Sequence, residues 1–188
     1  MRNLSSNLEA SIHIIHENQE WTKPLFKELS NLNLPFVDWD MSNSIIDISS
    51  NAPSGIFYNR MSASSHTRGN RFAPETTIGL LAWLESQNRK VINGRNALNL
   101  EISKLVQYAS LKFVGLNVPS TIAVSKKDDI IEAYNTLGFQ EAITKHNRAG
   151  KGLGVQLLKS KNAVLEHING NQYEESVDGI TLVQQYIK

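Results

Sequence analysis

A glycine-rich segment, KHNRAGKGLGVQL at residues 145–157, has the composition of an anion-binding loop. Its glycines stand at alternate positions among cations, the residues being Lys145, Arg148, Gly150, Lys151, Gly152 and Gly154. Glycine lets backbone N–H groups approach a phosphate, because no Cβ stands in the way. The spacing excludes a Rossmann fingerprint, which needs glycine at position 157, and a Walker A loop, which needs serine or threonine after Lys151. The pattern predicts a hairpin between two strands, which either folds over the phosphates of a nucleotide or is a mobile turn with exposed lysines.

Hydroxyl groups and cations also crowd a second segment, NRMSASSHTRGNR at residues 59–71. The side chains that could bind a carboxylate or phosphate of a second substrate are Arg60, Ser62, Ser64, Ser65, His66 and Arg68. This segment follows a predicted strand, and ligands of open parallel sheets bind at the strand ends. The alternative is a polar loop whose hydroxyl groups bond to its own backbone.

The composition narrows the chemistry that the chain can perform. The sequence has 188 residues, a net charge of +1 and no cysteine. A disulfide, a thiolate metal site and a cysteine nucleophile are therefore excluded, and we expect a cytoplasmic protein. The small net charge and the lack of an apolar run of about 18 residues indicate neither a nucleic-acid partner nor a membrane partner. No two of the five histidines make a metal pair with a carboxylate, so we expect no metal site within this chain.

The first half of the sequence alternates strands with helices. Residues 11–17, 34–41 and 56–63 have the apolar, β-branched character of buried strands, and residues 18–33 have helical spacing. Asn18 is the predicted N-cap of that helix. This order predicts a parallel, Rossmann-like sheet with right-handed crossovers.

Aromatic residues of this first lobe are expected to build its core. His13 and His16 alternate along an apolar strand, which favours packing and hydrogen bonding over ligand binding. Trp21, Trp39 and Trp83 are expected to pack in the same core.

The pattern of predicted strands and helices changes in the second half, and we place a domain boundary near residue 96. Apolar spacing over residues 97–115 predicts one long amphipathic helix, with Gly115 as its C-cap. Short strands and helices then alternate to the end, at residues 118–125, 127–138, 139–147, 154–160, 161–170 and 180–188. The fold class is therefore α/β, with an α/β lobe at residues 1–96 and an α+β lobe at residues 97–188.

This second lobe resembles the central part of ATP-grasp ligases. Three motifs carry the resemblance: ISKLVQYASLKFVGLNVPSTIAV (102–124), EAITKHNRAGKGLGVQLL (141–158) and LVQQYIK (182–188). The first contains the family's turn pattern as Gly115, Leu116, Pro119 and Thr121. The segment 58–76 extends the similarity to the branch of glutamate ligases that modify ribosomal protein. The resemblance implies a pre-ATP-grasp domain at residues 1–96 and a central ATP-grasp subdomain at residues 97–188.

The resemblance also implies roles for individual residues in binding ATP with magnesium. Lys104 would reach the α- and β-phosphates, and Lys145 would contact phosphate beside adenine. The flap would consist of Gly150, Lys151, Gly152 and Gly154. The hinge would consist of Gln184, Gln185, Tyr186 and Ile187, with the Gln185 carbonyl and the Ile187 N–H reading the adenine edge.

The sequence departs from the family's pattern after the hinge. A third subdomain normally follows, with the magnesium ligands and an arginine near the transferred phosphoryl group, whereas this sequence stops at Lys188. We therefore expect the N-terminal part of a longer ligase, with the alternative of a natural short form. The last strand is expected at a sheet edge, where it would favour a homodimer or a disordered C-terminus.

Two hypotheses for the function follow from these observations. The first is an ATP-dependent carboxylate–amine ligase, which phosphorylates a small-molecule or peptide carboxylate and joins it to an amine; this chain alone would be inactive. The second is a non-catalytic α/β module that binds a nucleotide or another protein.

Overall fold

A computed structural model describes residues 2–3, 11–150, 152–171 and 173–188. The chain divides into two compact units, Met1–Glu101 and Ile102–Lys188. The predicted domain boundary near residue 96 falls shortly before this division. Each unit contains a four-stranded sheet of its own, one parallel and one antiparallel, so the predicted α/β fold class is confirmed.

The first unit is built around a parallel sheet. Its strands are β1 (Arg2–Asn3), β2 (Ser11–His16), β3 (Phe36–Asp40), β4 (Ser44–Ile45), β5 (Gly55–Asn59) and β6 (Lys90–Ile92). Its helices are α1 (Gln19–Asn31), a 3-10 helix (Ala63–Arg68), α2 (Ala73–Ser86) and α3 (Arg95–Ile102), the last of which ends at the division. The main sheet has the order β3-β2-β5-β6, all parallel, and β1 and β4 form a separate pair. The predicted parallel sheet is therefore confirmed.

Local sequence signals explain where α1 begins and which residues fill the core. The Asn18 side chain accepts a hydrogen bond from the Trp21 N–H at 3.1 Å, so the predicted N-cap is confirmed. Trp39 is buried as predicted. The prediction that Trp21 lies in the core is wrong, since half of its surface (51%) is exposed. Its ring lies 4.7 Å from the Arg68 guanidinium, outside the core.

The two strand histidines are structural, as their alternation predicted. His13 stacks on Phe57 with ring centroids 4.4 Å apart, and its Nε2 lies 3.0 Å from the Ser54 carbonyl oxygen. His16 Nε2 lies 2.7 Å from Asp38 Oδ1. Both histidines are buried. Burial lowers the pKa of His13, because a charged imidazole would lose its hydration there.

The second unit is an antiparallel sheet with two of its helices packed on one face. Its strands are β7 (Thr121–Val124), β8 (Ala142–His146), β9 (Gln156–Leu158) and β10 (Thr181–Gln185). Its helices are α4 (Lys104–Phe113), a 3-10 helix (Lys127–Asp129), α5 (Ile130–Leu137) and α6 (Lys161–Asn169). A buried cluster that includes Ile130, Val164 and Val183 joins α5 and α6 to this sheet.

The prediction of one long helix over residues 97–115 is wrong. The segment forms two helices, α3 and α4, which are interrupted at Ser103. Ser103 has extended backbone angles and its Oγ accepts a hydrogen bond from the Val106 N–H at 3.2 Å, so it starts a new helix as an N-cap. The predicted C-cap is present: Gly115 follows the end of α4 with φ +83 and donates its N–H to the Lys112 carbonyl.

The prediction that the last strand lies at a sheet edge is also wrong. The order of the second sheet is β7-β10-β8-β9, so β10 is hydrogen-bonded on both sides. The backbone groups of β10 are satisfied within the unit, which removes the argument for a homodimer through that strand. In the part of the chain that the structure describes, no helix is long and apolar enough to cross a membrane.

Candidate functional site

The glycine-rich segment connects two antiparallel strands. β8 pairs with β9, with Ala142 opposite Leu158 and Thr144 opposite Gln156. No helix begins in the described residues between them, as the hairpin prediction requires. Gly152 and Gly154 adopt φ angles of +75 and +70, which side-chain-bearing residues rarely adopt. Lys151, which was predicted to belong to the flap, lies outside the described residues.

Strand alternation sends neighbouring side chains of β8 to opposite faces of the sheet. Ala142 belongs to the buried cluster under α5 and α6, and Thr144 points the same way. Lys145 points to the other face, where its cross-strand neighbour is Leu182. We call this second face, which α5 and α6 do not cover, the open face, and it carries the candidate site.

Lys145 is the centre of a hydrogen-bonded chain on the open face. Its Nζ donates to the Tyr108 hydroxyl and, at 2.7 Å, to Gln184 Oε1. Gln184 Nε2 donates to Thr121 Oγ1 at 2.7 Å, and that hydroxyl donates to the Pro119 carbonyl at 2.8 Å. Because each link has a defined donor and acceptor, the amide oxygen of Gln184 must face Lys145.

Lys104 approaches the same region from the first turn of α4. Its Nζ donates to the Ala149 carbonyl at 2.7 Å and to the Asn147 carbonyl at 3.3 Å, both at the start of the hairpin. Burial alone would raise the pKa of the Tyr108 hydroxyl. Hydrogen bonds from Lys145 and Gln184 and the charges of Lys145 and Lys104 outweigh burial and lower that pKa. The charges of both predicted lysines therefore favour the ionised form of the Tyr108 hydroxyl, so this oxygen lies within the electrostatic reach of both.

Asn147 fixes the start of α4 against the hairpin, and the sequence did not single it out. Its side chain is buried. Its Oδ1 accepts the Leu105 N–H at 2.8 Å, its carbonyl accepts the Lys104 N–H at 3.2 Å, and its Nδ2 donates to Asp178 Oδ2 at 2.7 Å. These bonds satisfy helix N–H groups that have no partner within the helix. Asn147 thereby holds Lys104 next to the strand that carries Lys145.

His146 supports the hairpin from the face opposite Lys145. Its Nε2 lies 2.8 Å from the Glu174 carbonyl oxygen, and the residue is buried. A Cβ at Gly154 would lie 2.4 Å from that ring, so only glycine fits at this position. Where the hairpin returns to the sheet, its backbone therefore passes close to the His146 ring, and the glycine at position 154 makes this contact possible.

The predicted hinge residues lie at the end of β10. Gln184 is buried and belongs to the Lys145 chain described above. The Gln185 N–H donates to the Ser120 carbonyl at 2.9 Å, and the Tyr186 N–H donates to the Glu141 carbonyl at 3.4 Å. Ile187 is exposed. The pairing of these groups with adenine remains a prediction.

In the first unit, a cleft of about 480 Å³ lies at the carboxyl ends of the parallel strands. Arg60 and Ser62 line it, together with polar side chains that include Asn59, Asn93 and Glu101. The sequence did not single out these last three residues, because Asn59 and Asn93 meet only through the parallel pairing of β5 and β6, and Glu101 reaches the cleft from α3.

The other four residues predicted in this region stabilise the loop itself. Arg68 donates to the buried carboxylate of Glu17 and, at 3.2 Å, to Ser64 Oγ. Ser65 is fully buried, and His66 Nδ1 lies 3.1 Å from the Ala63 carbonyl oxygen. None of these four residues lines the cleft. Arg60 and Ser62 are thus the members of the predicted set that line the cleft.

Comparison with known proteins places this architecture among ATP-grasp folds. No protein-family model matches the sequence, and no curated protein matches it either. The RimK domain protein ATP-grasp from Sphaerobacter thermophilus aligns with a TM-score of 0.64 and 16% identity, over 95% of this chain and 64% of that chain. D-alanyl-alanine synthetase A from Vibrio cholerae aligns with a TM-score of 0.61 and 10% identity, over 96% and 60% respectively.

A third solved structure is the ATP-grasp ligase PsnB in complex with a minimal precursor. It aligns with a TM-score of 0.59 and 15% identity, over 96% of this chain and 65% of that chain. The chain thus has an ATP-grasp fold, which confirms the resemblance at the level of fold, and it spans 60 to 65% of the length of these three neighbours. The glutamate-ligase branch within this fold stays a prediction.

Proposed function

We propose that this chain provides the nucleotide-binding part of an ATP-dependent carboxylate–amine ligase. The observation that carries the proposal is the convergence of Lys104, Lys145 and the glycine hairpin on one face of an ATP-grasp sheet. Lysine ammonium groups and glycine N–H groups are suited to a triphosphate, because they offer compact positive charge and unobstructed donors. PsnB, a structural neighbour, has been solved with AMPPNP and with magnesium and ADP.

The reaction consistent with this site has two steps. A substrate carboxylate oxygen attacks the γ-phosphorus of ATP, the bond to the bridging oxygen breaks, and ADP leaves. An amine nitrogen then attacks the acyl carbon of the acyl phosphate, inorganic phosphate leaves, and the nitrogen loses a proton to give an amide. The residues of this chain would hold the negative charge of the nucleotide during the first step.

Magnesium is expected with ATP, but the described residues do not supply its site. They contain no group of three histidine or acidic side chains placed to hold a metal ion. Every role proposed for this chain is therefore a role in binding phosphate, adenine or the second substrate.

The cleft of the first unit is the proposed site for the carboxylate or amine substrate. Arg60 presents a guanidinium and Ser62 a hydroxyl to a volume of about 480 Å³, which is large enough for an amino acid or a short peptide segment. PsnB has been solved in complex with the precursor peptide PsnA2, and a second neighbour is a D-alanyl-alanine synthetase. A small-molecule or peptide substrate in the cytoplasm, without a nucleic-acid partner, is part of the same proposal.

Nucleotide binding tests the proposal directly. Isothermal titration calorimetry with AMPPNP should give saturable binding by the chain, and Lys145→Ala should weaken that binding at least ten-fold, because an ammonium–phosphate bond is lost. Lys127→Ala is the matched control, since Lys127 is an exposed lysine of the same unit. Equal affinities for both variants would contradict the assigned site. Protein from the whole open reading frame should also release phosphate only when ATP, magnesium, an acid and an amine are all present.

The second candidate is a nucleotide-binding module without catalysis. It rests on the same convergence of Lys104, Lys145 and the glycine hairpin, which accounts for nucleotide binding without any catalytic step. This module would bind AMPPNP with the same dependence on Lys145. It would give no amide product under any combination of acids and amines.

A further inference from the structure

Tyr108 lies where the two site lysines meet, although neither the motifs nor the comparisons assign it a role. We propose that Tyr108 is a positioning residue, whose hydroxyl orients the Lys145 ammonium so that one of its N–H groups faces the phosphates of the bound nucleotide. This inference rests on the proposed function, because it gives a role to a residue of the same site.

The donor geometry of Lys145 supports this assignment. An ammonium group has three N–H donors. One donates to the Tyr108 hydroxyl and a second to Gln184 Oε1 at 2.7 Å. With two tetrahedral directions fixed, the direction of the third donor is also fixed, and no acceptor among the described residues takes it, so a ligand oxygen can.

The second anchor cannot replace the first. The Gln184 amide is itself held by Thr121, so its oxygen gives Lys145 a single fixed acceptor. A single acceptor would still allow the flexible Lys145 side chain to swing about that hydrogen bond and redirect its other N–H groups. The Tyr108 hydroxyl removes this freedom, and its ring adds a cation–π contact, with Lys145 Nζ 4.8 Å from the ring centroid.

The location of Tyr108 on α4 links the two lysines into one frame. Tyr108 follows Lys104 by one helical turn, so both side chains extend from the same side of the helix. The start of this helix is fixed to the hairpin by Asn147. A shift of Lys145 relative to Lys104 therefore requires the Tyr108 bond to break.

The charge state of the Tyr108 hydroxyl makes the proposed role visible in the pH dependence of nucleotide binding. Lys145 on β8 and Gln184 on β10 bond to the hydroxyl, and Lys104 on its own helix adds positive charge. Lys112, one turn further along α4, lines the same groove as Tyr108. These hydrogen bonds and positive charges outweigh burial and lower the pKa of the hydroxyl. When Tyr108 loses its proton, a phenolate neutralises Lys145 and repels the nucleotide, so nucleotide affinity should fall as pH rises.

The test compares two tyrosine variants of the intact chain. Tyr108→Phe keeps the ring and removes only the oxygen, and Tyr134→Phe makes the same change on α5, where the hydroxyl donates to the Gln140 carbonyl at 2.7 Å. AMPPNP affinity is measured by calorimetry at about pH 7 and at about pH 9.5, a pH just below the ordinary tyrosine pKa of about 10.

We expect Tyr108→Phe to weaken AMPPNP binding roughly three- to ten-fold at the lower pH, the cost of one lost orienting hydrogen bond. The affinity of the wild-type chain and of Tyr134→Phe should fall between the two pH values, whereas that of Tyr108→Phe should stay nearly constant. Equal affinity and equal pH dependence of wild type and Tyr108→Phe would overturn the inference alone. Absence of AMPPNP binding by the wild-type chain would overturn the proposed function, and the inference with it.

Discussion

Adding a methyl group at Gly154 tests how the hairpin is built. The new Cβ would lie 2.4 Å from the His146 ring, and the position has φ +70. The left-handed backbone costs about 1–2 kcal/mol for alanine. Moving the His146 ring would break its bond to the Glu174 carbonyl and leave a buried polar group unpaired, for about 1–3 kcal/mol more. We therefore expect Gly154→Ala to lower the free energy of unfolding of the second unit by about 2–5 kcal/mol.

Gly152 provides the matched control. It has φ +75, and a Cβ there meets no atom of the described residues within 4 Å. Gly152→Ala should therefore cost only the backbone strain, about 1–2 kcal/mol. The difference between the two variants isolates the contact with His146 from the conformational cost that both share.

The assay has to report on the second unit by itself. All three tryptophans, Trp21, Trp39 and Trp83, lie in the first unit, so tryptophan fluorescence would follow the wrong unfolding reaction. Native-state hydrogen exchange of the β8 and β10 amides gives the opening free energy of the second unit. In a His146→Ala background the ring is gone, and Gly154→Ala should then cost only about 1–2 kcal/mol. The same cost in both backgrounds would refute the close approach.

Three further predictions concern buried polar contacts. Asn147→Ala should lower the free energy of unfolding of the second unit by about 3 kcal/mol, since a helix cap and a partner of Asp178 are both lost; hydrogen exchange measures this. Arg68→Met should cost about 3–5 kcal/mol in urea denaturation of the first unit, because it leaves the Glu17 carboxylate buried without its cation. The free energy of unfolding of the first unit should fall as pH drops from about 7 to 5. Burial lowers the pKa of His13 in the folded chain, so the unfolded chain binds a proton at a higher pH than the folded chain does. His13→Phe should flatten this slope, of which one site supplies at most about 1.4 kcal/mol per pH unit.

Each of these predictions has a result that contradicts it. Asn147→Asp keeps the cap but places a second carboxylate against Asp178, so its destabilisation should shrink near pH 4; a pH-independent loss would speak against the contact. Arg60→Met should change stability by less than about 0.5 kcal/mol. An equal effect at Arg60 and Arg68 would mean that Arg68 has no special structural role. For His13, an unchanged slope in the variant would assign the pH dependence to other groups.

Local patterns predicted the parts of the fold that depend on neighbouring residues. The N-cap at Asn18, the helix C-cap at Gly115 and the glycine hairpin each follow from the backbone preferences of a few consecutive residues. The parallel sheet followed from the order of strands and helices, because a crossover of that kind has one favoured hand. The interruption at Ser103 also has a local signal, since serine is a strong N-cap, but the apolar spacing continued through it.

Features that depend on distant residues could not be found in this way. Asn147 meets Leu105 and Asp178 only after the chain has folded, and no pattern in the sequence connects them. The central place of β10 depends on which strands pair, which its own residues do not reveal. Tyr108 is an intermediate case. Its spacing of one turn after Lys104 is visible in the sequence, whereas its contact with Lys145 requires the strand to be in place.

The central claim is that the open face of the second sheet binds the triphosphate of a nucleotide. Titration of the isotope-labelled chain with AMPPNP, followed by amide NMR, tests it most directly. The account predicts saturable shifts for residues 145–155 and 184–187, with little change at residues 60–68. Saturable shifts confined to residues 60–68, or no saturable shifts at all, would contradict it.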